Sequence, residues 1–428
     1  MPARAALVFV AAAVAAAALG CRRGEAPAPA RTRTRITFAY QAMWGDPAVL
    51  RAAVAAVERE DPSIEITTQL LPSASQALHQ YLVTALEART ASFDVFPIDV
   101  VWVPELARAG WIADLTADFP PAAMAADMLP AVAEAVVVDG RTLAVPWFID
   151  VGLLYYRSDL VPRAPRTFDE LERFALDAKS RAASQGLAGF VFTGRQYEGL
   201  VCVGFEAAWG FGAPADAVAP DGRILVDGAA MRAGLGWLRH AVASGLAPPS
   251  VTSAGEEEVR HLFQSGRALF MRNWPYAWVE TQAPDSPVRG RVGVAPLPTT
   301  TGAPGFGALG GWQLALNAAT PPERRAAALR LISRLTAIPT NVDFAIAYSR
   351  LPPRRAAYDD ARLRAEAPFV ARLGAIAARA RSRPVTPFYV MLSDTLQGEF
   401  SSIVAGLRPP AAALEAAQRT ADRLVGER

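Results

Sequence analysis

Residues 35–102, RITFAYQAMWGDPAVLRAAVAAVEREDPSIEITTQLLPSASQALHQYLVTALEARTASFDVFPIDVVW, carry the pattern that decides the fold. Ile36, Phe38 and Tyr40 fall on alternate positions, which predicts a short strand with one face buried. Asp46 then offers a side-chain acceptor and Pro47 a preset φ, two signals that open a helix, and Val49, Ala53, Ala56 and Val57 recur behind them at helical spacing. An alternating stretch at Ile64–Leu70, a helical stretch over 75–89 and an apolar run over 95–102 follow. Strand, helix, strand, helix, strand in this order makes βαβ units, so the first lobe is predicted to be α/β with a parallel sheet.

Toward the C-terminus a second series begins beyond Pro146. A strand is predicted over 152–156, then a helix opened by the capping box Thr167-Phe168-Asp169-Glu170. A strand over 189–192, a helix ending near Gly210 and another running from about Gly228 to a stop at Gly245 come next. Apolar spacing in 324–335, 369–378 and 414–424 makes the last stretch of the chain mostly helical. No internal repeat is evident.

Toward the N-terminus, Arg4 precedes a run of small and aliphatic residues whose apolar part, 7–20, is shorter than the roughly 20 residues a bilayer span requires. A secretory signal peptide over 1–20 fits this stretch. Its ending, Ala18-Leu19-Gly20-Cys21, resembles a bacterial lipobox, with Ala18 where such sequences usually carry Leu. Cys21 is therefore the expected lipidation site, an uncleaved anchor or plain secretion being the alternatives. Residues 21–34, rich in Pro, Ala and Arg, read as an extended tether; at about 3 Å per residue it spans roughly 40 Å.

A chain of 428 residues has room for two domains and a sizeable core. Its net charge of +2 comes from balanced acids and bases spread along the sequence, which leaves no electrostatic footprint for nucleic acid. Lys179 is the only lysine. With Cys21 lipidated, Cys202 has no disulfide partner and reads as a small buried thiol. His79, His240 and His261 do not form metal-ligand spacing, and neither a metal nor any other cofactor is expected. Residues 305–310 match G-x-G-x-x-G by letter, but a Pro- and Thr-rich loop precedes them and strand-like residues follow, the wrong context for a dinucleotide site. Markers of P-loop, zinc-protease and serine-hydrolase chemistry are missing from the sequence.

What remains is a set of aromatic and carboxylate clusters. Trp274 and Tyr276 flank Pro275, with Trp278 close behind, and Gly310-Gly311 lets backbone approach a ligand just before Trp312. Asp99 precedes Val100-Val101-Trp102, and Asp150 interrupts the apolar run 146–152. A carboxylate inside such a run must be paired, hydrogen-bonded or at a cleft. Indole faces that cover the C–H faces of sugar rings, with carboxylates and arginines for the hydroxyls, make carbohydrate recognition one reading of this mixture. Taken singly, Trp274, Tyr276 and Trp312 are better accounted for by core packing, and a loop cap accounts for Asp99, a pair with an arginine such as Arg157 for Asp150, and the helix cap for Asp46.

PWFIDVGLLYYRSDL at 146–160, QYEGLVC at 196–202, FMRNWPYAW at 270–278, VGVAPLP at 292–298, GGWQLALN at 310–317 and RPVTPFY at 383–389 resemble, in order, segments of the extracellular solute-binding proteins of ABC sugar importers, in particular the trehalose/maltose-binding branch. The resemblance implies a periplasmic-binding-protein fold of type II, maltose-binding-protein-like, with two α/β lobes that are discontinuous in sequence and hinge-linked around a ligand cleft. The expected division is 35–148 plus 308–347 for the first lobe and 149–307 plus 348–428 for the second. By the same resemblance Asp99 and Asp150 bind sugar hydroxyls, Trp274 and Tyr276 stack, Gly310, Gly311 and Trp312 form one edge of the cleft, and Arg383 reaches the ligand from the second lobe. Asp46 falls where a carboxylate of the first strand-to-helix loop touches sugar. Two departures bear on specificity: Phe148 stands where relatives often have Tyr, and residues 73–81 lack an Arg that relatives place there, with His79 nearby.

These readings give an expectation of a non-enzymatic, lipid-anchored monomer at the extracytoplasmic face of the membrane. It would capture a small saccharide, such as an α-linked disaccharide, and pass it to the transmembrane permease subunits of an importer powered by a separate ATPase. A secreted glycoside hydrolase using a pair such as Asp99 and Asp150, and a sugar-sensing ectodomain, are the rival readings.

Overall fold

A computed structural model of the chain describes residues 33–43, 46–181, 186–215, 217–219 and 221–426. The expected signal peptide, Cys21 and nearly all of the tether lie outside the described residues.

The strands are β1 (Thr34–Tyr40), β2 (Ile64–Leu70), β3 (Val95–Asp99), β4 (Val137–Val138), β5 (Arg141–Thr142), β6 (Val145–Val151), β7 (Leu153–Arg157), β8 (Ala188–Val191), β9 (Ala268–Asn273), β10 (Val292–Ala295) and β11 (Leu309–Leu316). Apart from the β4–β5 hairpin they form two sheets, of order β2-β1-β3-β11-β6 and β10-β7-β9-β8. The βαβ reading of residues 35–102 holds: β1 pairs in parallel with both β2 and β3, with helices Pro47–Glu60 and Ser75–Glu87 between them. The first sheet as a whole is mixed, because β11 enters it antiparallel between β3 and β6. Nothing local to residues 35–102 signals this, since the inserted strand arrives from the far side of the second sheet.

One connection between the sheets is a single residue long. β6 ends at Val151, Gly152 intervenes, and β7 continues into the second sheet. The return path leads from β10 through a loop to β11. A third link follows helix Ile338–Tyr348, which Ser349 terminates in the left-handed conformation, φ 52°; Leu351 then pairs with Ile149 beside β6. Each sheet has its own apolar core. Phe38, Phe96, Trp147 and Leu314 belong to the first, and Tyr155, Phe190, Phe263 and Phe270 to the second. Burial of these side chains at about 1.5–3 kcal/mol each is what holds the layers together.

Local signals shape the segments that matter for the site. The Asp46 carboxylate accepts from the Ala48 amide at 2.8 Å, capping the helix as its position predicts. The Thr167 hydroxyl accepts from the Glu170 amide at 3.0 Å, whereas Glu170 reaches back one residue further than a capping box requires, to the Arg166 amide at 2.8 Å. The apolar run after Val95 is strand only to Asp99; there the carboxylate accepts from the Val101 amide at 3.2 Å and turns the chain into a single 3-10 turn, Val100–Trp102.

Candidate functional site

Gly310 lies opposite Asp150 in the β11–β6 pairing, and Trp312 lies opposite both Phe148 on β6 and Asp99 on β3. Three adjacent strands of the first sheet therefore bring Asp99, Asp150, Gly310 and Trp312 to one edge. A bulge between Trp312 and Gln313 shifts the register here. Gly311, φ +104°, permits the close approach: a Cβ on it would lie 2.4 Å from the Phe148 carbonyl oxygen. A Cβ on Gly310 would instead meet the Trp274 ring at 3.5 Å. The floor formed by Gly310 and Asp150 thus lies against an indole supplied by the second sheet.

Arginines engage both carboxylates. Arg350 Nη1 donates to the two Asp150 oxygens at 3.2 and 3.0 Å, and its guanidinium stands 4.7 Å from the Phe148 ring centroid and 5.7 Å from that of Tyr276. Arg157, the partner that sequence suggested, bonds Asp159 instead. Burial pushes the Asp150 carboxyl above the usual carboxylate range; Arg350 pulls it back and the Asp99 charge raises it again. Arg383 Nη2 donates to Asp99 at 3.0 Å while Nη1 donates to Glu198 at 2.5 Å, so one buried guanidinium joins the end of β3 to helix Glu198–Gly210 of the second core. Glu198 also accepts from the hydroxyls of Tyr389, at 2.5 Å, and Ser393.

The aromatic segment sorts itself by contact. Trp274, half-buried, donates through Nε1 to Glu256 at 3.3 Å, and Tyr276 donates its hydroxyl to Glu257 at 2.6 Å. Trp278 faces away and stacks on Phe369 at 4.1 Å in the second core. Trp312, also half-buried, presents an edge-to-face contact to Trp102 at 5.6 Å, and Trp102 in turn meets His79 at 5.0 Å. Asp46 stands apart from this cluster; its carbonyl accepts from the Tyr348 hydroxyl at 2.6 Å, two residues before Arg350.

Beside these residues lies a cavity of about 360 Å³ walled by Ser75, Gln76, His79 and Trp102 on one side and, among others, by Tyr197 and Glu198 at the start of helix Glu198–Gly210 and Tyr389 and Met391 of helix Tyr389–Val404 on the other. That volume suits a small organic ligand. A somewhat larger recess of about 420 Å³, around Lys179, Gly245, Leu262 and Arg267, draws on the second lobe alone and has neither an aromatic wall nor a carboxylate. We place the site at this cavity for that reason; none of Asp46, Asp99, Asp150, Trp274, Tyr276, Gly310, Gly311, Trp312 and Arg383 is among its wall residues, and it joins them through the Trp102–Trp312 contact and the Arg383 bonds to Glu198 and Asp99. Among the described residues no cluster of His, Cys, Asp or Glu is arranged to hold a metal ion.

Sequence reasoning missed Arg350 and Glu198 as site residues. Arg350 sits in a stretch, SRLPP, that reads as an ordinary loop; only the β-bridge between Leu351 and Ile149 sets it beside Asp150. Glu198 was inside a quoted motif, but its role depends on partners 185 and 191 residues away.

Residues 44–336 match the family model described as bacterial extracellular solute-binding protein. A probable ABC transporter-binding protein of Deinococcus radiodurans is 33% identical over 366 residues, which cover 83% of this chain and 86% of that protein. Among solved structures, maltose-bound MalE3 of T. maritima superposes with a TM-score of 0.82 at 35% identity, over 91% of this chain and 99% of that one. The GacH receptor of Streptomyces glaucescens, at 22% identity over 92% of this chain and 98% of its own, gives a TM-score of 0.78 and supports the fold. The chain belongs to the bacterial extracellular solute-binding protein family, with the two-lobe α/β fold of the maltose-binding proteins. Its family and structural matches are binding proteins rather than enzymes. Among the described residues no helix is long and apolar enough to cross a membrane.

Proposed function

We propose that this chain is the extracytoplasmic substrate-binding protein of an ABC importer, tethered through lipid at Cys21, and that it captures a small saccharide by hinge closure and delivers it to the permease. The observation that carries the reading is the cavity of about 360 Å³ walled by Trp102, Tyr197, Tyr389 and Glu198 beside the Asp99–Arg383 pair. Aromatic walls next to a carboxylate suit a ring that is apolar on its faces and hydroxylated at its rim. Support for the importer comes from the Deinococcus relative's description, and support for a saccharide from the maltose bound to the T. maritima protein.

In this reading Asp99, Asp150 and Arg383 bond sugar hydroxyls, Trp274, Tyr276 and Trp312 cover the ring faces, Gly310 and Gly311 keep one edge open, and Asp46 adds a contact at the rim. The lobes comprise 35–148 plus 308–347 and 149–307 plus 348–428, and the protein acts as a monomer. The ligand in this reading is an α-linked disaccharide such as trehalose, maltose or sucrose. With roughly 23 non-hydrogen atoms at about 0.3 kcal/mol each, such a ligand binds with about −7 kcal/mol, a Kd near 10 μM. Because the ligand must favour the closed state over the open one, the contacts come from both lobes. Phe148 withdraws a hydroxyl donor that relatives often have at that place, which shifts specificity among these sugars.

A thermal-shift screen against trehalose, maltose, sucrose, glucose and a set of polyols tests the reading, since a bound ligand raises the Tm by mass action. A rise with at least one saccharide is expected. A flat response across the set, with reducing sugar released from a maltoside, would favour the hydrolase instead.

A further inference from the structure

Arg272 and Glu206 are 1% and 4% exposed, and the guanidinium donates to the carboxylate through Nε at 2.7 Å and Nη2 at 2.5 Å. A buried ion pair is seldom a gain over apolar packing of the same volume, so its position calls for an explanation. Glu206 Oε1 also accepts the Ala308 amide at 2.9 Å, gripping the chain just before β11 returns to the first sheet. The outgoing connection touches the same pair: a Cβ on Gly152 would lie 1.8 Å from Glu206 Oε1 and 2.8 Å from Arg272 Nη2. The two connections also touch each other, since a Cβ on Gly307 would fall 2.4 Å from the Gly152 carbonyl oxygen. On its other side the Arg272 guanidinium lies 3.8 Å from the Trp274 ring centroid. One ion pair therefore contacts both strand connections and the indole proposed to stack on sugar.

We propose that Arg272 and Glu206 are positioning residues that seat the Trp274 ring against the two strand connections, so that the ring is preorganised for ligand and moves with the hinge. The inference rests on the saccharide-receptor reading for what the seated ring does, but the seating itself is a property of the ligand-free protein. Planarity is required of the cation: a guanidinium offers two parallel N–H bonds to Glu206 and a flat face to the indole, and an ammonium offers neither.

The test compares the full chain with Arg272→Lys and with the double variant Glu206→Gln/Arg272→Met, each in the presence and absence of Trp274→Phe. The difference spectrum in near-UV circular dichroism isolates the Trp274 signal without any ligand. In both variants that signal is expected to fall to less than about half, with a cooperative thermal transition retained in Arg272→Lys, where the charge still faces Glu206. Maltose, as probe, is expected to bind about tenfold more weakly to the variants, chiefly through faster dissociation. An unchanged Trp274 signal in a folded variant overturns the proposal whatever sugars bind. If the unsubstituted protein binds no saccharide, the receptor reading fails, and the ligand-free spectra still decide the seating. Should the double variant not fold, Arg272→Lys carries the decision alone.

Discussion

Asp150 and Arg350 are 200 positions apart in the chain, yet Arg350 Nη1 lies 3.0 and 3.2 Å from the two carboxylate oxygens. The pair spans β6 and the third connection between the lobes, and both members are buried. Replacing Asp150 by Ala strands the guanidinium, at a cost of about 3–5 kcal/mol in apo stability, and removes a hydroxyl acceptor from the cleft. Asp150→Asn/Arg350→Met takes away both charges; its apo Tm is predicted to equal or exceed that of the unsubstituted protein while saccharide binding is lost. Since burial raises the Asp150 carboxyl in the folded state, the native form binds the proton more tightly than the unfolded one, and the stability Asp150 contributes is lost as pH rises through its folded pKa. The stability advantage of the double variant should therefore widen from acid to neutral pH, as calorimetric scans would show.

Gly310 and Gly311 are adjacent but predict opposite outcomes. Gly311→Ala forces a Cβ to within 2.4 Å of the Phe148 carbonyl at a φ of +104°, and should lower stability by about 2–5 kcal/mol in denaturant titrations. Gly310→Ala places its methyl 3.5 Å from the Trp274 ring, an ordinary contact, so the Tm should hardly move. The methyl presses on the rim of the Trp274 ring proposed to meet sugar, and affinity should fall about tenfold, by about 1.4 kcal/mol.

Much of the fold was legible because it is local. The Asp46-Pro47 cap, the alternation in β1 and the Ile64–Leu70 run each declare an element within a few residues, and β1, β2 and β3 pair as their order implies. The antiparallel entry of β11 was not legible, because sheet order is set by packing between segments some 200 residues apart. The site divides in the same way. Asp99, Asp150, Trp274 and Trp312 stood out as charges or indoles within apolar runs, whereas Arg350 and Glu198 gain their meaning from partners that only the fold supplies. Asp46 shows the opposite limit: its sequence signal described a helix cap, and the structure has that cap.

The aromatic residues separate by contact. Trp278, half-buried, stacks on Phe369 at 4.1 Å against the second core; Trp278→Ala should cost about 1.5–3 kcal/mol of stability and leave the affinity of the folded fraction intact. Trp312, half-buried and touching Trp102 only edge-on, should lose little Tm on replacement by Ala but about 10–100-fold in saccharide affinity, as about 1.5–3 kcal/mol of ring burial disappears from the complex. Paired thermal-shift and titration data on the two variants distinguish these roles.

Away from the cleft, Glu170 controls part of the acid sensitivity. Its bond to Arg163, helped by the Arg166 amide, holds its carboxyl down at about 2. A carboxyl depressed in the folded state contributes stability that is present above its unfolded value of about 4.3 and lost as pH falls through the folded one. Glu170→Gln should thus flatten the decline in Tm between about pH 5 and 2 and change little at pH 7 beyond the loss of that pairing, as a pH series of thermal melts would reveal.

Capture of a small saccharide between the lobes is put to the test by titration calorimetry of residues 35–428 with maltose, trehalose and sucrose. One-to-one binding of at least one of them is expected, with a Kd of about 10 μM or tighter, and that heat should be lost in Trp274→Ala. No heat with any of the sugars, or binding that Trp274→Ala leaves unchanged, would contradict it.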